Sequence, residues 1–146
     1  MSLYQNLLIE HAKHPRNFGY LTSPTARIFE HNPVCGDTID LQIQVVNGQI
    51  ADAMFHGSGC AISQATASMM TDAIQNRTVA EADAMFRTFK SMLTQRAPIS
   101  ADELDDRLGN LRCLRELLNY PTRVKCALLP WNALNGCLAA HDLHLP

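Results

Sequence analysis

Two short stretches carry residue types that can hold a metal or move sulfur. Cys35-Gly36-Asp37 sets a thiol and a carboxylate two residues apart. In an extended chain both then point to one face, and Gly36 permits the bend that would turn them onto one ion. Downstream, His56-Gly57-Ser58-Gly59-Cys60 places a cysteine behind two glycines at the entrance to an expected helix, where the helix end favours negative charge. A third thiol is available in Arg123-Val124-Lys125-Cys126, expected just before another helix, with two cations to stabilise its thiolate. Three thiolates and one carboxylate suit tetrahedral Zn2+ or iron with sulfide. The carboxylate is unusual in that company. A site built only to hold zinc more often uses four thiolates, or three and an imidazole. A weaker oxygen ligand suggests a site whose ligands exchange.

The element that must bring these stretches together is a hairpin. Thr38 to Val46 alternates, with Ile39, Leu41, Ile43 and Val45 on one face and Asp40, Gln42 and Gln44 on the other. That is the pattern of a half-buried antiparallel strand. Asn47-Gly48 is a strong two-residue turn signal, and Gln49 to His56 returns. A two-residue turn makes Val46 face Gln49, and the same register sets Cys35 opposite Cys60 and Ser58 opposite Asp37. Facing residues in a ladder lie ~5 Å apart at Cα. A one-residue bulge would shift the register and keep the proximity. In this register Ile50 and Met54 join the apolar face, but so do Asp52 and His56, which weakens the pattern there.

Around the hairpin the chain reads mostly as helix. Ser2 with Gln5 is a capping-box pattern and opens a helix that Pro15 stops. Arg16 to Pro24 is a loop, and Ala26 to His31 a strand closed by Asn32-Pro33. From Cys60 a buried helix runs to about Asn76. Thr78 with Glu81 opens another that continues to about Leu93. Ser100 with Glu103 starts a short one after the break at Pro98. Leu111, Leu114, Leu117 and Leu118 form a helical stripe ended by Tyr120-Pro121. The last helix is expected from about Cys126 to Leu143, with Leu134, Cys137, Leu138 and His141 on one face and Pro130 in its first turns or at a kink. The order implies an α+β fold: a small antiparallel sheet with about five to six helices on one face.

Composition bounds the rest. The chain has 146 residues, the size of one domain (1–146), and 47% are hydrophobic, enough for a core without staples. A net charge of -2 with no basic run argues against nucleic acid. No stretch approaches the about 20 apolar residues of a membrane span, and no signal peptide is evident at Met1 to Glu10. The expectation is a cytoplasmic protein, in which five cysteines read as metal-binding, reactive or buried rather than disulfide-bonded. Cys113 and Cys137, each within an apolar helical stripe, read as packing residues. His56 reads as structural; Met69, Met70, Met85 and Met92 read as core, and Asp40, Asp52 and Asp102 to Asp106 as solvated faces.

Three motifs in order then resemble one family. Asn32-Pro33-Val34-Cys35-Gly36-Asp37, Gly57-Ser58-Gly59-Cys60-Ala61-Ile62-Ser63 and Arg123-Val124-Lys125-Cys126-Ala127 are similar to the IscU/NifU N-terminal/SufU family of iron-sulfur cluster assembly proteins. Leu3-Tyr4 through His14-Pro15-Arg16-Asn17, and Ala67-Ser68-Met69-Met70-Thr71, also resemble it. The resemblance covers nearly the whole chain. It implies a three-stranded antiparallel sheet with helices (SufE/NifU-like) and one exposed metal site on Cys35, Asp37, Cys60 and Cys126. It also implies a PLP-dependent cysteine desulfurase as partner and Cys126 as the sulfur-accepting position. Three departures resemble the SufU branch. Lys125 stands where the classical scaffold has His, its Leu-Pro-Pro-Val-Lys run is replaced by Tyr120 to Lys125, and Ser91 to Asn110 looks like an insertion. Ala61, where Ser is common, leaves ligation untouched.

Three functions compete on these residues. In the first, zinc rests on Cys35, Asp37, Cys60 and Cys126. Docking to a SufS-type desulfurase frees one thiolate, Cys126, which takes the persulfide sulfur while Arg123 and Lys125 steady the charge. The sulfur then passes to a SufBCD-type assembly complex or to apo iron-sulfur proteins, and the chain is at most a zinc-dependent sulfurtransferase. In the second, it is a non-enzymatic scaffold on which iron and a transient 2Fe-2S cluster are assembled. In the third, ranked low because the core needs no metal, the site is a structural zinc module.

Overall fold

The computed structural model describes residues 2–33, 36–94 and 100–140 of the chain. Helix α1 (Leu3–Lys13) opens with the expected capping box: Ser2 Oγ accepts the Gln5 N–H, and the Gln5 side chain returns to the Ser2 N–H. Three strands follow, β1 (Ala26–His31), β2 (Thr38–Val46) and β3 (Gln49–His56), with the bounds their alternation and the Asn47-Gly48 turn require. Asn47 and Gly48 have φ of 53° and 78°, the two left-handed residues of a type I′ hairpin turn. The sheet is antiparallel throughout, in the order β1-β2-β3.

The hairpin register departs from the unbroken one. Val46 pairs with Gln49 and Val45 with Ile50, but a bulge between Gln44 and Val45 makes Gln44 pair with Asp52 and Leu41 with Phe55. Burial accounts for it. The shift turns Ala53 and Phe55 into the core, at 0% and 1% exposure, and sends Asp52 and His56 to the other face. Without it, a carboxylate and an imidazole would occupy core positions. On the other edge of β2, past the start of β1, the Val45 N–H donates to Thr25 Oγ1 at 2.8 Å.

Four helices and a 3₁₀ segment complete the chain: α2 (Ala61–Ile74), α3 (Val79–Thr94), α4 (Ala101–Leu108), the 3₁₀ segment Gly109–Asn119, and α5 (Pro121–Ala140). Thr78 and Glu81 form both halves of a capping box at α3, and Ser100 Oγ accepts the Glu103 N–H at α4. Leu111, Leu114 and Leu117 are all buried. Their three-residue spacing is the period of a 3₁₀ helix, so the stripe coils more tightly than expected.

The last helix starts five residues earlier than the sequence implies. Pro121 ends the 3₁₀ segment and also opens α5, at a position where its missing N–H costs nothing. Cys126 therefore lies inside α5 rather than before it. Pro130 is in the helix interior, and it cannot donate the hydrogen bond that would otherwise reach the Cys126 carbonyl. His141 and Leu143 lie outside the described residues, as does Pro98.

Helix α5 packs under β1 and β2 and α2 under β3, which leaves the other face of the sheet to Arg27, Phe29 and the loop through Leu21. The core gathers Leu41, Ile43, Ile50 and Phe55 from the sheet, Met70 and Ile74 from α2, and Phe89 stacked on Trp131 at 4.9 Å. Met69, Met85 and Met92 are buried in it, as expected, and so is Cys137, whose thiol points at the Leu41 carbonyl. Cys113 is half-buried, and burial pushes its thiol up to about 11.

Candidate metal centre

The site lies where β2 begins, β3 ends and α5 passes beneath. The Asn32 N–H donates to the Asp37 carbonyl at 2.8 Å, and the Gly36 N–H to the Asn32 carbonyl at 2.8 Å. These bonds tie Asn32 to the residues just before β2. Gly36 has φ of 76°, a conformation that favours glycine. Cys35 itself lies outside the described residues, so its expected place opposite Cys60 has no counterpart in the structure.

Beyond His56 the chain crosses back to β2. The Thr38 N–H donates to the Ser58 carbonyl at 2.7 Å, so Ser58 faces Thr38 rather than Asp37, the consequence of the bulge farther up the hairpin. The two glycines are required sterically. A Cβ on Gly57 would strike the Thr38 carbonyl, and one on Gly59 would lie 2.5 Å from Asp37 Oδ1 and 2.6 Å from Ser63 Oγ. Cys60 then caps α2, with its sulfur accepting the Ser63 N–H at 3.4 Å. Its own N–H donates to Asp37 Oδ1 at 2.9 Å, and its sulfur lies 3.7 Å from Asp37 Oδ2.

Cys126 arrives from α5. One Asp37 oxygen, Cys60 Sγ and Cys126 Sγ all lie within 4.8 Å of one another, a grouping found nowhere else among the described residues. Zinc–thiolate bonds of about 2.3 Å put the sulfurs of a tetrahedral site about 3.8 Å apart. The donors here need to draw in by no more than about an ångström, so donor chemistry and spacing both fit a soft divalent ion.

Contrary to the expectation of an exposed site, Asp37 and Cys126 are 1% and 2% exposed, and Cys60 is the more accessible of the three. The protein's own groups also favour the neutral form of Cys126. Burial first, then the Cys60 thiol and the Asp37 carboxylate, push it up to about 12. Arg123 and Lys125, expected to stabilise a thiolate there, are exposed side chains on the first turns of α5. Lys125 faces a cleft that it shares with Glu30, His31, Leu128 and Asn132.

His56 is a packing residue, as read from the sequence: its ring stacks on Tyr20 at 4.9 Å and lies 4.9 Å from Phe18. Asp40 is more than a solvated face. It accepts two hydrogen bonds from Arg27, at 3.0 and 2.7 Å, and they hold its carboxyl below the usual range. Sequence reasoning missed Thr38 and Ser63, the hydroxyl residues that fix the Cys60 loop. The signal for Ser63 was present, since Cys60 and Ser63 stand at the spacing of a helix N-cap and its third helical residue.

A three-stranded antiparallel sheet, backed by helices and ending in converged thiols and a carboxylate, defines a small α+β domain whose donor set could hold a metal ion. The chain belongs to the NifU-like N-terminal domain family, whose pattern matches residues 3–136. It is 36% identical over 143 residues to the zinc-dependent sulfurtransferase SufU of Bacillus subtilis, covering 97% of this chain and 92% of that one. It is 35% identical over 145 residues to the iron-sulfur cluster assembly scaffold protein IscU of Streptococcus pyogenes, covering 98% and 88%. A crystal structure from Fervidobacterium islandicum, described as a candidate iron-sulfur cluster assembly scaffold for a SUF system, superposes with a TM-score of 0.85. It is 30% identical, with 93% of this chain and 96% of that one covered.

Proposed function

We propose that the chain is a sulfur acceptor in iron-sulfur cluster assembly, taking persulfide sulfur at Cys126 from a PLP-dependent cysteine desulfurase of the SufS type. The observation that carries this reading is the convergence of Asp37, Cys60 and Cys126 within 4.8 Å. Likeness to a zinc-dependent sulfurtransferase over nearly the whole chain supports it. Cys35 completes the proposed ligand set. Zinc, when bound there, would hold the thiols as thiolates and offset their mutual repulsion.

The chain's own residues divide the work. Asp37 and Cys60 are tied to each other and to α2, so they anchor. Cys126 enters from a separate helix, next to exposed Lys125 and one turn from Arg123, so it can leave without undoing the Asp37–Cys60 pair once docking uncovers its thiol, 2% exposed in the free chain. Its thiolate attacks the outer sulfur of the partner's persulfide. A new sulfur–sulfur bond forms, the partner's breaks, and the partner's cysteine departs as a thiolate. Lys125 and Arg123 balance the charge of the persulfide that results. An apo iron-sulfur protein or a SufBCD-type complex would take the sulfur onward.

Anaerobic desulfurase turnover tests the reading. The chain is expected to accelerate turnover, and Cys126→Ser to abolish the acceleration. Acceleration by Cys126→Ser equal to that of wild type would sink it. The scaffold reading draws on the likeness to IscU of Streptococcus pyogenes. It predicts iron with matching sulfide in anaerobically purified protein, where the sulfur-acceptor reading predicts about one zinc and no sulfide. No helix among the described residues is long and apolar enough to cross a membrane, and a cytoplasmic setting belongs to the same proposal.

A further inference from the structure

Between the paired part of the hairpin and the ligands lies a short stretch with no regular ladder. Asp40 and His56 are the last residues that β2 and β3 pair with each other, although Ile39 and Thr38 still pair with Glu30 and His31 of β1, and Asp37 and Cys60 lie beyond. Thr38 and Ser58 bridge that stretch through backbone and side chain together. The Thr38 N–H donates to the Ser58 carbonyl at 2.7 Å. The Ser58 N–H donates to Thr38 Oγ1 at 3.1 Å. Thr38 Oγ1 also lies 3.3 Å from Ser58 Oγ and 3.4 Å from the Ser58 carbonyl. One hydroxyl thus satisfies the amide that precedes Gly59-Cys60, from a residue adjacent to Asp37.

On the helix side the Cys60 arm is held by α2: the Gln64 N–H donates to the Cys60 carbonyl at 3.1 Å and Gln64 Nε2 to the Gly57 carbonyl at 3.3 Å. Gly57 and Gly59 have no side chains to pack, and glycine is the residue with most conformational freedom to lose. Their lack of Cβ lets the two arms close to contact distance, and it removes the steric walls that would fix a register. Ser58 is exposed, so burial does not anchor it. Oxygen of Thr38 and oxygen of Asp37 therefore tie the capped end of α2 to β2, and Asp37 is itself a candidate ligand.

We infer that Thr38 is a positioning residue for the metal centre: its hydroxyl clamps Ser58 and thereby holds Cys60 at ligand distance from Asp37. The inference rests on the metal reading of the site and adds a residue that touches no ligand atom. Outer-shell hydrogen bonds of this kind typically carry about 10–100-fold in metal affinity.

The test compares Thr38→Val, which keeps shape and β-branching but lacks the hydroxyl, with Thr38→Ser, which keeps the hydroxyl but lacks the methyl. Zinc affinity is measured by competition with a chromophoric chelator. The visible band of the cobalt-substituted protein reads ligand geometry. The expected result is a 10–100-fold loss of zinc affinity and an altered cobalt band in Thr38→Val, both restored in Thr38→Ser, with the melting of the metal-free proteins unchanged. Three results would overturn it: wild-type affinity in Thr38→Val, equal weakness in the two variants, or a loss of affinity that tracks a loss of metal-free stability. Failure of the metal reading itself shows separately, as a wild-type protein that binds neither zinc nor cobalt.

Discussion

The Cys60 N–H donates to Asp37 Oδ1 at 2.9 Å, while the Cys60 sulfur lies 3.7 Å from Asp37 Oδ2. A single carboxylate thus orients the cysteine through one oxygen and faces its sulfur with the other. The two candidate ligands are coupled before any ion is considered, and the coupling separates two roles that substitution can test.

Asp37→Asn keeps an oxygen for the Cys60 N–H and removes the charge. Asp37→Ala removes both. Zinc affinity is expected to fall in both variants by at least the 10-fold typical of lesser changes around a metal. In urea melts of the metal-free proteins, Asp37→Ala is expected to be less stable than Asp37→Asn by about 0.5–1.5 kcal/mol, the net worth of a hydrogen bond to a half-buried N–H. Equal stability of the two would mean that the Cys60 N–H finds water or another acceptor.

Gly59→Ala tests the steric requirement. Its Cβ would lie 2.5 Å from Asp37 Oδ1 and 2.6 Å from Ser63 Oγ, so the carboxylate must move. Zinc affinity is expected to drop by about 10-fold or more, with a loss of metal-free stability within the about 1–3 kcal/mol of an overpacked site. Isothermal titration with zinc and a thermal melt check both. Unchanged zinc binding would show that Asp37 is not held where the ligand set needs it.

Arg27 and Asp40 give the fold an acid-sensitive link. The Arg27 hydrogen bond holds the Asp40 carboxyl below its unfolded value, with burial opposing. The unfolded chain therefore binds the proton first as pH falls, and the contribution of the pair is present above the ordinary carboxylate pKa and lost below it. Arg27 is largely exposed, so Arg27→Met is expected to lower stability only slightly at pH 7. Urea melts at several pH values should show that difference shrinking to zero as pH falls through the titration of Asp40. A difference constant down to pH 2 would place the effect in packing of the Arg27 stem instead.

Trp131 is the only tryptophan and is 0% exposed, stacked on Phe89. Its indole N–H has no hydrogen-bond partner among the described residues. Trp131→Phe therefore loses no hydrogen bond and is expected to cost much less than Trp131→Ala, which should cost about 3–5 kcal/mol. Chemical denaturation followed by circular dichroism measures both, and the wild-type fluorescence should shift to the red in the same transition. A Trp131→Phe loss as large as that of Trp131→Ala would reveal a buried partner for the indole.

Much of this molecule is legible from local pattern. The alternation from Ile39 to Val45, the Asn47-Gly48 turn and the capping boxes at Ser2, Thr78 and Ser100 each describe one stretch, and each stretch adopts the structure it implies. The cysteine motifs likewise specify donor chemistry without any fold. Thiols and a carboxylate favour a soft divalent ion wherever the chain places them.

What local pattern does not hold is the fit between stretches. The bulge beside Val45 depends on which residues of β3 can be buried against the helices beneath the sheet. The earlier start of α5 depends on where the 3₁₀ segment ends, and it moves Cys126 from a loop into a helix. The burial of Asp37 and Cys126 follows from that placement, because the thiol now rises from beneath the sheet rather than from its rim. Residue type determined what the site could bind. Side-chain packing between β2, α2 and α5 decided how closely the donors approach and how far water is kept from them, because burial and distance belong to pairs of elements and to none alone.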